Sequence, residues 1–195
     1  LCGFHAAGTY AGEILLDRAP VRLRGLGDAA GRGIALIAQE LALVPELSVA
    51  ENLVLGHEPM RHGLIDWDAV AANARTALAR VGLDVDPERP VKELGIGQQQ
   101  MVEIAKALAK DARILVLDEP TAALTESDAQ RLLAVIGELR ARGVSSIYIS
   151  HRLEEVFQIA DRVTVLRDGR SVATHPARDL TTDKVISMMV GREVK

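Results

Sequence analysis

Apolar positions along the chain follow two rhythms. Short, nearly solid apolar runs read as strands, and longer stretches with apolar residues three and four apart read as helices. The strand-like runs are 13–16 and 21–24 around a turn at Asp17–Pro20, then 34–38, entered through Gly31 and Gly33. Further along come 113–118, 146–150, and the pair 162–167 and 171–174, which flank an Asp168-Gly169 hairpin turn. Val70, Ala74, Ala77, Leu78 and Val81 share one face of a helix over 66–81, closed by Gly82. Met101, Ile104, Ala105 and Leu108 do the same over 98–110. Helices are also expected at 125–142 (capped by Thr125 with Asp128, stopped by Gly143), 152–160, and 182–190 up to Gly191. Ser48 with Glu51 marks one more helix start, and Leu1-Cys2-Gly3-Phe4 reads as the end of a helix closing at Gly3.

Strands alternating with helices define an α/β chain with a mostly parallel sheet. The predicted division is a core of 1–44 and 111–195 with a helical subdomain over about 45–110. At 195 residues the chain is long enough for one domain with a proper core. Aromatics make up only 3%, so Leu, Val, Ile and Ala must fill that core. The net charge of −4, without a basic cluster, argues against nucleic acid as the primary partner. Cys2 is the only cysteine, which excludes an internal disulfide framework and fits a reducing compartment. Cys2 and His5 have no second pair to complete a metal site, so a thiol near a chain end is the simpler reading. No apolar run approaches the roughly 20 residues that span a bilayer, and the first residues lack the pattern of a signal peptide.

Chemistry concentrates in Arg113-Ile-Leu-Val-Leu-Asp118-Glu119-Pro-Thr121, a strand that runs straight into two carboxylates. The carboxyl edge of an open α/β sheet is where such sheets bind ligands. One carboxylate there can hold magnesium while its neighbour orients water, as nucleotide hydrolysis requires. A core strand ending in a solvated acidic turn explains Asp118-Glu119 equally well. Gly95–Gln100 precedes a helix, where free N–H groups suit a phosphate, or where a glycine turn simply opens the helix. Gln39 follows a strand and could reach a metal-bound water, or serve only its own loop. His151 follows Ile147–Ser150 and could donate to a phosphate oxygen, or be an ordinary loop histidine.

Taken together, strand-Gln39, Leu94-Gly95-Ile96-Gly97-Gln98, strand-Asp118-Glu119-Pro120-Thr121 and strand-Ser150-His151 occur in an order and spacing that closely resemble an ATP-binding-cassette transporter's nucleotide-binding subunit. The likeness covers the whole chain and lies nearest the N-terminal cassette of bacterial monosaccharide importers. It narrows toward D-xylose import through Leu1-Cys2-Gly3, Gly8–Ile14, Gln39–Val44 and Met188–Glu193. The resemblance implies a RecA-like P-loop NTPase core with an inserted helical subdomain, ATP as ligand, and Mg2+ as cofactor. It assigns Gln39 to the Q-loop, Leu94, Gly95, Ile96, Gly97 and Gln98 to the nucleotide-contacting signature, and Ala122–Thr125 to the D-loop. Asp118 and Gln39 would serve the metal, Glu119 the attacking water, and His151 the terminal phosphate. Implied partners are membrane-spanning permease subunits, a second cassette and, indirectly, a periplasmic sugar-binding protein. The implied location is peripheral, on the cytoplasmic face of the bacterial inner membrane.

Three departures qualify the resemblance. Gly95 stands where most cassettes have serine, which removes a hydroxyl contact to phosphate. Thr125 stands where the D-loop usually has aspartate. No G-x-x-x-x-G-K-[ST] loop occurs in the 195 residues. The expectation is therefore a partial cassette, lacking the phosphate loop and N-terminal strands of the family, and inactive by itself. Gly191-Arg192-Glu193 resembles the junction into a second cassette. Two rivals remain at this point: a cassette acting on ribosomes or DNA, and a non-catalytic fragment serving as a partner surface.

Overall fold

A computed structural model describes residues 1–191; the expected junction at Arg192-Glu193 lies outside the described residues. The chain forms two compact units, Leu1–Ile149 and a second from Ser150 onward.

The first unit opens with a hairpin of β1 (Ile14–Leu16) and β2 (Ala19–Val21), paired Leu16 to Ala19. Asp17 and Arg18 both take positive φ, 51° and 65°, which is the two-residue turn matched to the twist of paired strands. This short turn explains why the second strand is Ala19–Val21 and not 21–24: pairing begins at once, and Pro20 is tolerated because the hairpin stands alone. Leu1 and Cys2, the two described residues before Gly3, are not helical. The glycine has φ 87°, and its backbone abuts Gly25, so a close approach of two backbones requires it there. A short helix the pattern did not announce, α1 (Leu26–Gly31), leads into β3 (Ile34–Ile37).

Next come α2 (Val49–Val54), the hairpin of β4 (Met60–Arg61) and β5 (Leu64–Ile65), α3 (Trp67–Arg80) and α4 (Ile96–Ala109). Ser48 caps α2 through a reciprocal box: Glu51 N–H donates to Ser48 Oγ at 3.1 Å, and Ser48 N–H to Glu51 Oε2 at 2.7 Å. Asp66 caps α3 by accepting from Ala69 N–H at 3.0 Å. The three helices pack on one another and bury Val49 and Leu53 of α2 together with Val70, Ala74, Leu78, Ile104 and Leu108, the last five on the faces the apolar spacing picks out.

The chain then forms β6 (Ile114–Asp118), α5 (Glu126–Ala141) and β7 (Ser145–Ile149). The sheet is parallel in the order β3-β6-β7, with Ile37 opposite Leu117 and Asp118 opposite Ile149. Its middle strand is the most deeply buried, with Leu115 and Leu117 at 0% exposure. That burial explains the near-continuous apolar run. Strand β7 lies at the sheet's edge and keeps Ile147 and Ile149 at 40% and 46% exposure.

The second unit holds α6 (Leu153–Ile159), a hairpin of β8 (Arg162–Arg167) and β9 (Arg170–Pro176), and α7 (Thr182–Val190). Asp168 and Gly169 make the hairpin turn with φ 51° and 72°. Val163, Val165, Ala177 and Val185 form its small core, joined by Leu153, Val156, Phe157 and Met188. No helix among the described residues is long and apolar enough to cross a membrane.

Candidate functional site

The sheet's carboxyl edge gathers three of the sequence-predicted residues. Asp118 is the last residue of β6, and Glu119 follows it. Since Ile37 pairs with Leu117, the register carries Gln39 to the level of Glu119 as both chains leave the sheet. Gln39 is exposed, and Asp118 and Glu119 are half-buried. Glu119 takes φ 47° although it is not glycine, a conformation that costs on the order of 1–3 kcal/mol. Its N–H donates to Ile149 O at 2.9 Å, which ties the turn to β7. The chain then folds tightly, with Ala122 N–H on Glu119 O at 3.1 Å and Leu124 N–H on Thr121 O at 3.1 Å. Two adjacent carboxylates are thus held where the strand stops, the second by a strained backbone.

The other predicted residues lie on different elements. The turn Leu94–Gln98 opens α4, with Leu94 buried and Gly95 exposed at the N-cap position. Gly95 N–H donates to Gln98 Oε1 at 3.2 Å, so that donor is used within the turn. The first helical bond runs from Gln99 N–H to Gly95 O at 3.0 Å. The helix itself therefore leaves the N–H groups of Ile96, Gly97 and Gln98 unused, as at any helix start. Both glycines were expected to admit an anion, but Gly97 has another neighbour. A Cβ placed on it would lie 2.5 Å from Asp128 Cγ and 2.7 Å from Asp128 Oδ1. Asp128 belongs to the first turn of α5, where its N–H donates to Thr125 Oγ1 at 3.2 Å and Thr125 Oγ1 donates to Asp128 Oδ2 at 2.8 Å. The capping pair expected from Thr125 and Asp128 thus also shapes the signature turn. His151 is exposed in the second unit, two residues past the end of β7, and Ser150 Oγ accepts from Arg152 N–H at 3.0 Å beside it.

Sequence reasoning missed the side chains that hold the segment after Gln39. Asn52, at 0% exposure, accepts from Val44 N–H at 2.8 Å and donates to Val44 O at 3.0 Å. The only available signal was an Asn next to apolar residues in a short helix. Among the described residues no three His, Cys, Asp or Glu side chains converge on one point. A single carboxylate at the sheet's edge suits Mg2+ nonetheless, because that ion is commonly held by one or two carboxylates, water and phosphate oxygens.

Comparison with known proteins identifies the family and the fold. Residues 1–122 match the ABC transporter family. The Xylose import ATP-binding protein XylG of Moorella thermoacetica is 56% identical over 194 residues, covering 100% of this chain and 38% of that protein. The Ribose import ATP-binding protein RbsA 3 of Rubrobacter xylanophilus is 52% identical over 184 residues, covering 94% of this chain and 37% of that protein. The fold matches that of a nucleotide-free ATP-binding cassette from an ABC transporter, with a TM-score of 0.77 at 24% identity, over 96% of this chain and 79% of that one. The chain belongs to the ABC transporter family and has the mixed α/β cassette fold. It spans under two-fifths of the length of the curated relatives it matches.

The contact at Gly97 generates a test. Gly97→Ala forces Asp128 out of a hydrogen-bonded position, and such overpacking costs about 1–3 kcal/mol. An Asp128→Gly background removes the obstruction, so most of that cost should vanish there. Urea unfolding of the four proteins of the double-mutant cycle measures the coupling; additive effects would show that the two residues do not meet.

Proposed function

We propose that this chain is part of an ATP-hydrolysing subunit that powers bacterial import of a monosaccharide, with D-xylose the favoured sugar. The carrying observation is the carboxyl edge, where Asp118, Glu119 and Gln39 leave adjacent parallel strands at one level. Identity of 56% to a xylose-import protein over 194 residues supports the sugar, while the 52% relative is a ribose importer and keeps a second pentose as the alternative.

In this reading each residue has one task. Asp118 would hold magnesium, with the amide oxygen of Gln39 available to the same ion. Glu119 accepts a hydrogen bond from the attacking water, aligns it on the terminal phosphorus and takes its proton as the bond to phosphorus forms. His151 donates a hydrogen bond to a terminal phosphate oxygen. Leu94–Gln98 offer backbone N–H groups to a nucleotide bound mainly by the partner cassette. Magnesium, when bound, neutralises charge on the phosphates; the protein supplies position and electrostatics, which provide nearly all of phosphoryl-transfer catalysis. The helical subdomain over about 45–110 is the part proposed to move with nucleotide. The partners are membrane-spanning permease subunits and a second cassette, with a periplasmic sugar-binding protein acting indirectly and nucleic acid taking no part. This places the subunit peripherally on the cytoplasmic face of the inner membrane.

Glu119→Gln in the intact protein is expected to abolish turnover and spare ATP binding, because the amide cannot take the water's proton while Asp118 is untouched. Phosphate release and nucleotide titration, measured on one preparation, check this. Hydrolysis at the parental rate would remove Glu119 from the role.

The segment from Glu40 to Leu55 is the proposed contact with the permease. Leu43 is half-buried and Val44 is 36% exposed, while the backbone of Val44 is held by Asn52, so a new side chain there leaves the loop in place. Val44→Asp should cut sugar uptake and retain ATPase activity, since an interface that buries an unpaired charge is strongly disfavoured. Uptake and hydrolysis assayed side by side in membranes decide it; unchanged uptake would move the contact elsewhere.

A further inference from the structure

Residues 38–47 form no helix or strand, yet the backbone of this stretch is closely held. Ala42 is gripped from both sides by one helix. Its N–H donates to Glu103 Oε1 at 2.6 Å, and its carbonyl accepts from Lys106 Nζ at 3.1 Å. Glu103 and Lys106 are three apart on α4 and so share a face. Glu103 is 7% exposed, in a helix whose other buried positions are mostly apolar. Burial pushes its carboxyl above the usual range, opposed by the Lys106 charge, the Ala42 hydrogen bond and the Lys110 charge. An apolar side chain would pack there without that desolvation cost. What Glu103 provides that a leucine cannot is an acceptor for one particular backbone N–H.

We propose that Glu103 and Lys106 are positioning residues: they lock the Ala42 peptide to α4, so that Gln39 and the signature turn Leu94–Gln98 move as one body. Ala42 lies three residues beyond Gln39, and α4 begins at Ile96, inside the signature turn. A displacement of α4 along its axis therefore pulls on the segment that carries Gln39. Asn52 fixes the far side of the same segment by donating to Leu47 O at 3.3 Å and Ser48 O at 3.0 Å, besides its two bonds to Val44. The loop is thereby a stiff strut between the sheet edge and α4. The functional half of this inference rests on the ATPase reading; the clamp itself does not.

The test uses Glu103→Leu, Glu103→Gln and Lys106→Met in the intact protein, with two readouts. Amide hydrogen exchange at Ala42 should quicken about tenfold in Glu103→Leu, which removes a charge-assisted bond. It should stay near the parental rate in Glu103→Gln, whose side-chain carbonyl still accepts. Steady-state kinetics should show kcat lowered about tenfold in Glu103→Leu with KM for ATP little changed, the mark of misplaced groups rather than lost binding. Glu103→Gln should restore kcat, and Lys106→Met should fall between; Lys106 is only half-buried, which guards against a folding defect. Unchanged exchange at Ala42 in both Glu103→Leu and Lys106→Met overturns the clamp. Faster exchange with full kcat overturns the positioning role. Faster exchange in a parent that hydrolyses no ATP contradicts the ATPase reading and upholds the clamp.

Discussion

The parallel pairing of β3, β6 and β7 is the constraint on which the candidate site depends. Parallel strands present their carboxyl ends at the same edge, so one register fixes the level of everything that leaves it. Ile37 against Leu117 puts Gln39 level with Glu119, and Ile149 accepts the Glu119 N–H. Burial of Leu115 and Leu117 on the middle strand anchors that register, because a slip by one residue would turn both toward the opposite face. The strain at Glu119 is tolerable only because the sheet and the turn on either side determine that residue's position.

A second set of constraints is polar and sits in the helices. Asn52 and Asp128 are not apolar core residues, yet each fixes backbone that carries chemistry: the segment after Gln39 in one case and the glycine turn at the start of α4 in the other. Asn52 is fully buried and Asp128 half-buried, and polar groups held in this way favour one arrangement of loops over many nearly equivalent ones. The proposed hydrolysis requires such definition, since groups misplaced by an ångström lose most of their catalytic effect.

Much of the fold was legible in the sequence, for physical reasons that also mark its limits. Helices α3, α4 and α5 were readable because each buries one continuous face, and β6 because both of its faces are covered. The hairpin β4–β5 was not: its strands are two residues each, and Met60, Leu64 and Ile65 are exposed, so no burial pattern exists to be read. Helix α1 was hidden for the same reason, with one buried residue and glycines at 25, 27 and 31. Asp118, Glu119 and Gln39 could be nominated because strand ends announce themselves by an abrupt change from apolar to polar. The Asp128 contact with Gly97 could not, since nothing in a linear pattern reports that two helix starts meet.

A structure of the intact protein crystallised with Mg2+ and a non-hydrolysable ATP analogue tests the central claim most directly. The proposal predicts the metal beside β6, about 2.1 Å from an Asp118 oxygen or one water removed from it, with the Glu119 carboxylate facing the terminal phosphate and Gln39 beside the ion. Nucleotide and metal bound away from this edge, with Asp118 and Glu119 both turned to bulk solvent, would contradict it.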